Sequence, residues 1–81
     1  MTKHQKLLAK AQRNPAGLSF NEFQTLMSQC SWKEDHQRGS HSIWYSPKKI
    51  RISVQNNKGM AKSYQVKQFL NYYQEENDDA L

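Results

Sequence analysis

The chain has one cysteine, Cys30, among its 81 residues. No intrachain disulfide can form, and a cytoplasmic setting is the expectation. Continuous apolar runs are missing too: Lys3, His4, Lys6 and Lys10 surround a patch of just two leucines, so neither export nor membrane insertion is expected. Nucleotide-binding glycine patterns are absent. His4, His36, His41 and Cys30 fall at none of the spacings that hold a structural zinc ion, so neither a metal nor a small-molecule cofactor is expected. There is no nucleophile elbow. A chain of this length buries only about 60–65% of its unfolded surface, which leaves no room for a large interior cavity and puts function on the surface. Acidic residues are also scarce until the end, with Glu22, Glu34 and Asp35 preceding the C-terminal Glu75, Glu76, Asp78 and Asp79.

Positive charge is abundant. Residues 1–74 hold twelve Lys and Arg against three acids, a formal +9 within a whole-chain charge of +5. A body this basic fits a polyanionic partner, either nucleic acid or an acidic protein surface.

Length sets a single domain over residues 1–81. Leu7, Leu8 and Ala11 at helical spacing predict a basic amphipathic helix over about 2–13. Asn14-Pro15-Ala16-Gly17 ends it, because Pro15 disfavours helical geometry at Asn14 and Gly17 lets the backbone turn. The second helix has an explicit start: Ser19 as N-cap and Glu22 three residues on form a capping box, with Leu18 placed to staple onto Phe23. Phe20, Phe23, Leu26, Met27 and Cys30 then fall on one stripe of a helix ending near 29–31, which predicts its core face.

From Trp32 the period changes to two. Strands are predicted over about 32–38, 41–46 and 49–55, with Ser46-Pro47-Lys48-Lys49 as a type I turn. Ile50, Ile52 and Val54 alternate with Arg51, Ser53 and Gln55, which gives that strand one apolar and one polar face. The middle strand is ambiguous, since His41, Ile43 and Tyr45 share one face and Ser42 and Trp44 the other. The reading favours Ile43 inside, leaving Trp44 outside where an indole can stack on a base. Asn56-Asn57-Lys58-Gly59 is a polar turn into a last helix over about 62–75, with Val66, Phe69, Leu70 and Tyr73 as its stripe. Lys58, Lys62 and the free N–H groups of that helix make an anion-binding end. The acid-rich tail, 76–81, mismatches the helix dipole and is expected to fray. The order α-α-β-β-β-α gives an α+β domain, a three-stranded antiparallel sheet with helices packed on one face and a core over 18–75.

The first strand connection carries the chemistry. Gly39-Ser40 between two extended runs fits a two-residue loop of type II′, which sets Arg38 opposite His41. A guanidinium holds phosphate oxygens bidentately, and an imidazole exchanges a proton near neutral pH. RNA suits such a pair because its own 2′-OH serves as nucleophile, leaving the protein to supply proton transfer and cations at the phosphate. That chemistry needs no metal.

Several local motifs recur together: Lys3-His4, Asn14-Pro15, Leu18-Ser19-Phe20, Gly39-Ser40-His41 with Ile43, and the run from Asn57 to Gln68 that contains Ala61-Lys62-Ser63-Tyr64-Gln65-Val66. On these residues, and over nearly its whole length, the sequence resembles the HicA toxin family, the small ribonuclease half of a bacterial toxin–antitoxin pair. The resemblance implies a fold similar to double-stranded-RNA-binding domains, cleavage of mRNA, a catalytic histidine at His41 and a HicB-like antitoxin that covers the His41 surface. Two positions depart from the family pattern. Ser42 stands where a second histidine is common, and Ser63 stands where the last helix often begins with proline; serine is expected to act there as an N-cap.

Together these features assign His41 as general acid or base. Arg38, Gly39, Ser40, Lys58, Lys62 and Lys67 are assigned to substrate binding, with Arg38 and nearby lysines at the phosphate. The rival is a non-catalytic RNA-binding module of the same fold, in which Lys58, Lys62 and Lys67 track a backbone and His41 touches a groove. A DNA-binding regulatory subunit is disfavoured, since no helix reads as a recognition helix.

Overall fold

A computed structural model describes residues 3–79 of the chain. Helix α1 (Lys3–Arg13) leads through a 3-10 turn (Pro15–Gly17) to α2 (Phe20–Gln29). Strands β1 (Lys33–Arg38), β2 (His41–Tyr45), β3 (Arg51–Asn57) and β4 (Met60–Ala61) follow, and α3 (Ser63–Asp79) ends the described chain. The strands form an antiparallel sheet in the order β1-β2-β3-β4. The helices cover one of its faces.

Helix α2 begins as the capping box predicts. Ser19 Oγ accepts from the Glu22 N–H and Glu22 Oε1 accepts from the Ser19 N–H, each at 3.0 Å, while Leu18 and Phe23 are both fully buried. The second oxygen of Glu22 has a separate partner. It accepts from Lys10 Nζ at 2.8 Å and so ties α1 to α2. That hydrogen bond, followed by the Ser19 backbone N–H, holds the Glu22 carboxyl below its ordinary value of 4.5. A lowered carboxylate stabilises the fold above its ordinary range, and this contribution is lost as pH falls through the lowered value. Glu22→Gln keeps the box but loses the ion pair, and both side chains are more than a third exposed, at 44% and 37%. The expected loss at pH 7 is therefore below about 1 kcal/mol. Urea titrations at pH 7 and at pH 3 check this: the gap between variant and wild type should shrink at the lower pH.

The end of α2 is turned by a Schellman motif whose left-handed residue is Ser31, at φ 68. The Trp32 N–H donates to the Met27 carbonyl at 3.0 Å and the Ser31 N–H to the Ser28 carbonyl at 3.1 Å. The reversal drops Trp32 into the core. There its ring meets Phe69 edge-on at 5.1 Å, and Phe69 meets Phe23 edge-on at 5.8 Å. From the sheet, the core takes Trp44, Ile52 and Val54.

That last fact corrects the expected orientation of β2. Trp44 is 4% exposed and lies on the helix-covered face, so it is no stacking platform. The cause is register: Ser42 pairs with Val54 and Trp44 with Ile52, and directly opposed residues share a face. Ile43 is on the other face, opposite His36 and Ser53. The turn between β2 and β3 matches its type I expectation, with Lys49 N–H donating to the Ser46 carbonyl at 2.9 Å. Buried Ser46 also accepts at Oγ from the Ile50 N–H at 2.9 Å.

The sheet has a fourth strand where three were expected. Lys58 and Gly59, at φ 54 and 88, form a tight two-residue turn of type I′. Behind it Asn57 pairs with Met60 and Asn56 with Ala61. The short strand is held from its far side, where the Ala61 N–H donates to the Leu18 carbonyl at 3.1 Å and the Phe20 N–H to the Gly59 carbonyl at 2.9 Å. In α3 the Lys62 carbonyl accepts from the Val66 N–H at 3.1 Å, so Lys62 occupies the cap position and Ser63 the first helical one. The helical backbone runs through Asp79, beyond the expected end near 75. The last two residues of the tail expected to fray, Ala80 and Leu81, lie outside the described residues, as do Met1 and Thr2.

Candidate functional site

Gly39 sits at φ 61, and Ser40 is not among the residues of positive φ, the pattern of a type II′ loop. A Cβ at Gly39 would meet nothing within 4 Å. Glycine is needed there for its backbone angle and not for space. The Gln37 side chain braces the turn by donating to the Gly39 carbonyl at 3.2 Å, and the Ser40 carbonyl accepts from the Asn56 N–H at 2.8 Å.

This turn sets Arg38 and His41 as direct cross-strand partners, and β3 adds Gln55 opposite His41. The three form one row on the face that no helix covers. His41 and Arg38 are exposed. Within the described residues no side-chain hydrogen bond engages His41, so its ring is free to meet a substrate.

The antiparallel order brings two turns to the same end of the sheet. Lys58, at the tip of the β3–β4 turn, is thereby placed at the end that carries Gly39 and Ser40. Gln65, in the first turn of α3, reaches back to β3 and accepts at Oε1 from the Gln55 N–H at 2.8 Å. This bond fixes the start of α3 beside the row that holds His41. It also brings Lys62, whose Nζ lies 5.9 Å from the centre of the exposed Tyr64 ring. Lys67 is not brought in. It is an exposed residue of α3, a helix that packs on the opposite side of the sheet from His41.

Of the residues expected to bind substrate, Arg38, Gly39 and Ser40 are therefore adjacent to His41, Lys58 and Lys62 flank the same end, and Lys67 belongs to the helical layer. Gln55 and Gln65 were missed. Gln55 was legible as a polar-face residue of β3, but its place beside His41 needs the register; the bond from Gln65 is tertiary and has no local signal. Position 42 lies on the face opposite His41 and is fully buried.

Other reactive groups are poor alternatives. Burial pushes the Cys30 thiol up to about 11, which leaves little thiolate at neutral pH. Among the described residues no cluster of three or more His, Cys, Asp or Glu is placed to hold a metal ion, and no helix is long and apolar enough to cross a membrane. No family model, curated protein or solved structure matches the chain.

Proposed function

We propose that this chain is an RNA-cleaving toxin of the HicA type, a metal-independent endoribonuclease acting on mRNA and neutralised by a HicB-like antitoxin. The observation that carries the reading is the Arg38–His41 pairing on an uncovered sheet face, beside a turn that keeps both groups at its rim. Arg38 takes two non-bridging oxygens of a phosphodiester. His41 acts at the same phosphorus as general acid or base. The 2′-OH of the preceding ribose forms the new P–O2′ bond and the P–O5′ bond breaks. The 2′ proton goes to the base, and the departing 5′ oxygen takes one from the acid; His41 fills one of these roles and solvent water the other. The products are a 2′,3′-cyclic phosphate and a 5′-OH end.

The order of β1, β2 and β3 between α2 and α3 supports a core arranged like a double-stranded-RNA-binding domain, with α1 and the two-residue β4 as additions. The substitution at Ser42 weakens the site little under this reading, because a side chain there faces the helices and not His41. A binding module without catalysis is favoured by one observation, namely that among the described residues no neighbouring side chain orients the His41 ring. The two readings separate on purified wild-type protein incubated with unstructured RNA in excess EDTA. Fragments ending in 2′,3′-cyclic phosphate and 5′-OH are expected. Tight binding with intact RNA would leave the module reading, and cleavage abolished by EDTA would indicate a required metal ion.

A further inference from the structure

The face that carries His41 has a second end that the cleavage step does not use. Register sets two cation-bearing rows on it, Arg38, His41 and Gln55 beside the first turn, and Lys33, Tyr45 and Arg51 at the opposite end. Four residue steps along β2 take His41 to Tyr45, about 13 Å at the rise of a strand. Between the rows lies Ile43, only 9% exposed, flanked by His36 and Ser53. Asp35, the extra residue of a bulge in β1, is taken up by His36 at 2.7 Å.

Beside Lys33 and Tyr45 of the far row the surface is concave. Lys33, Tyr45 and Lys49 line a hollow of about 300 Å³ at the β2–β3 turn, together with Ser31, Ser46 and Pro47. Lys49 is held at its rim by a left-handed backbone, φ 70. Tyr45 is half-buried, hence both fixed by the fold and open to contact. An adjoining hollow shares these three residues and is bordered on the β1 side by Glu34 and Asp35. Those acids mark the edge that a polyanion would avoid.

We propose that this hollow is a second RNA subsite, and that the substrate is single-stranded RNA laid along β2, its scissile phosphate at Arg38 and His41. Lys33 and Lys49 hold a neighbouring phosphate and Tyr45 stacks on an unpaired base. The proposal deepens the ribonuclease reading and rests on it. Two cations around an aromatic ring match the alternating phosphates and π-faces of a single strand. A duplex keeps its bases stacked away from such a ring, and its regular A-form geometry holds each 2′-OH out of line with the leaving 5′ oxygen. A protein partner would look for exposed apolar anchors. The large exposed apolar side chains among the described residues, Met60 and Tyr64, lie on β4 and α3 instead.

Two measurements test the subsite. In the first, His41→Ala protein, alone and with Lys33→Glu and Lys49→Glu added, is titrated with a labelled single strand and with the matching RNA duplex at several salt concentrations. The single strand should bind at least tenfold tighter, and the double charge reversal should make the salt dependence shallower by about 1.4 in log–log slope, two contacts at about 0.7 each. A Lys67→Glu control on the helical layer should not do so. In the second, the same double reversal in an otherwise wild-type protein should raise KM for a long single strand at constant kcat, and leave cleavage of a dinucleotide unchanged because it cannot reach the far row. Duplex bound as tightly as single strand, an equal effect from Lys67→Glu, or binding only to an acidic protein overturns the subsite. Salt-sensitive single-strand binding at Lys33 and Lys49 by a wild-type protein that cuts no RNA upholds the subsite and overturns the cleavage reading instead.

Discussion

His41→Ala should cut RNA at least about a hundredfold more slowly than wild type, the scale on which a positioned proton-transfer group contributes. On the proposed mechanism the loss should fall on kcat, since Arg38 and the flanking lysines would still hold the phosphate. Stability should change by less than about 1 kcal/mol, because the side chain is exposed and has no hydrogen bond among the described residues. His36→Ala is the internal control. His36 shares the face of His41 but stands opposite Ile43, one row from the turn, with its ring engaged by Asp35 at 2.7 Å. Removing it should change kcat little. The experiment is cleavage of unstructured RNA by wild type and both variants in excess EDTA, with thermal melts alongside. If His41→Ala cuts as fast as wild type, the catalytic assignment fails. If both variants are equally impaired with unchanged melts, the chemistry belongs to the face as a whole and not to His41.

Local signals reached the elements that carry this site. The Ser19–Glu22 box places the start of α2 because all its partners lie within four residues, and Gly39-Ser40 places the Arg38–His41 row because a two-residue loop admits few registers. Where partners are distant, the pattern is silent. Glu22 reads as a capping residue, yet its link to Lys10 depends on how α1 crosses α2. Strand β4 is too short for any periodicity, and it exists because Leu18 and Phe20 offer hydrogen bonds on its far side. Helix α3 likewise meets Gln55 through a side chain whose target lies ten residues away.

The misjudged face of β2 has a different origin. Ile43 and Trp44 are both apolar, so alternation within the strand leaves either face available to the core. The neighbouring strand resolves it: Ile52 and Val54 mark the apolar face of β3, and the Ser46–Lys49 turn sets Trp44 opposite Ile52. Consistency between strands therefore decides what one strand alone does not. The same register turns Lys33, Tyr45 and Arg51 from scattered residues into a row, and it removes Trp44 from any part in stacking.

Phe69→Ala should lower stability by about 3–5 kcal/mol, the range for deleting a fully buried ring. Phe69 is 0% exposed and sits where three aromatic neighbours converge, Trp32 at 5.1 Å, Phe23 at 5.8 Å and Tyr73 at 6.0 Å. Each edge-on or stacked pair adds about 0.5–1.5 kcal/mol beyond burial. These neighbours come from α2, from the segment before β1 and from α3 itself, so the cavity cannot close without moving separate elements. Against a total stability of about 5–15 kcal/mol for a domain, such a loss leaves the fold marginal. Phe69→Leu fills most of the volume and should cost about 1–1.5 kcal/mol. Urea unfolding followed by tryptophan fluorescence reads both, since Trp32 lies against the substituted ring; at an m-value near 1 kcal/mol per M, Phe69→Ala moves the midpoint down by about 3 M or more. Function follows through α3, which brings Gln65 to Gln55 beside His41. Residual activity of Phe69→Ala should therefore track its folded fraction, with KM of the folded protein unchanged. A loss under about 1 kcal/mol would mean that α3 is held to the sheet by other contacts, and that Phe69 is not the centre of the core.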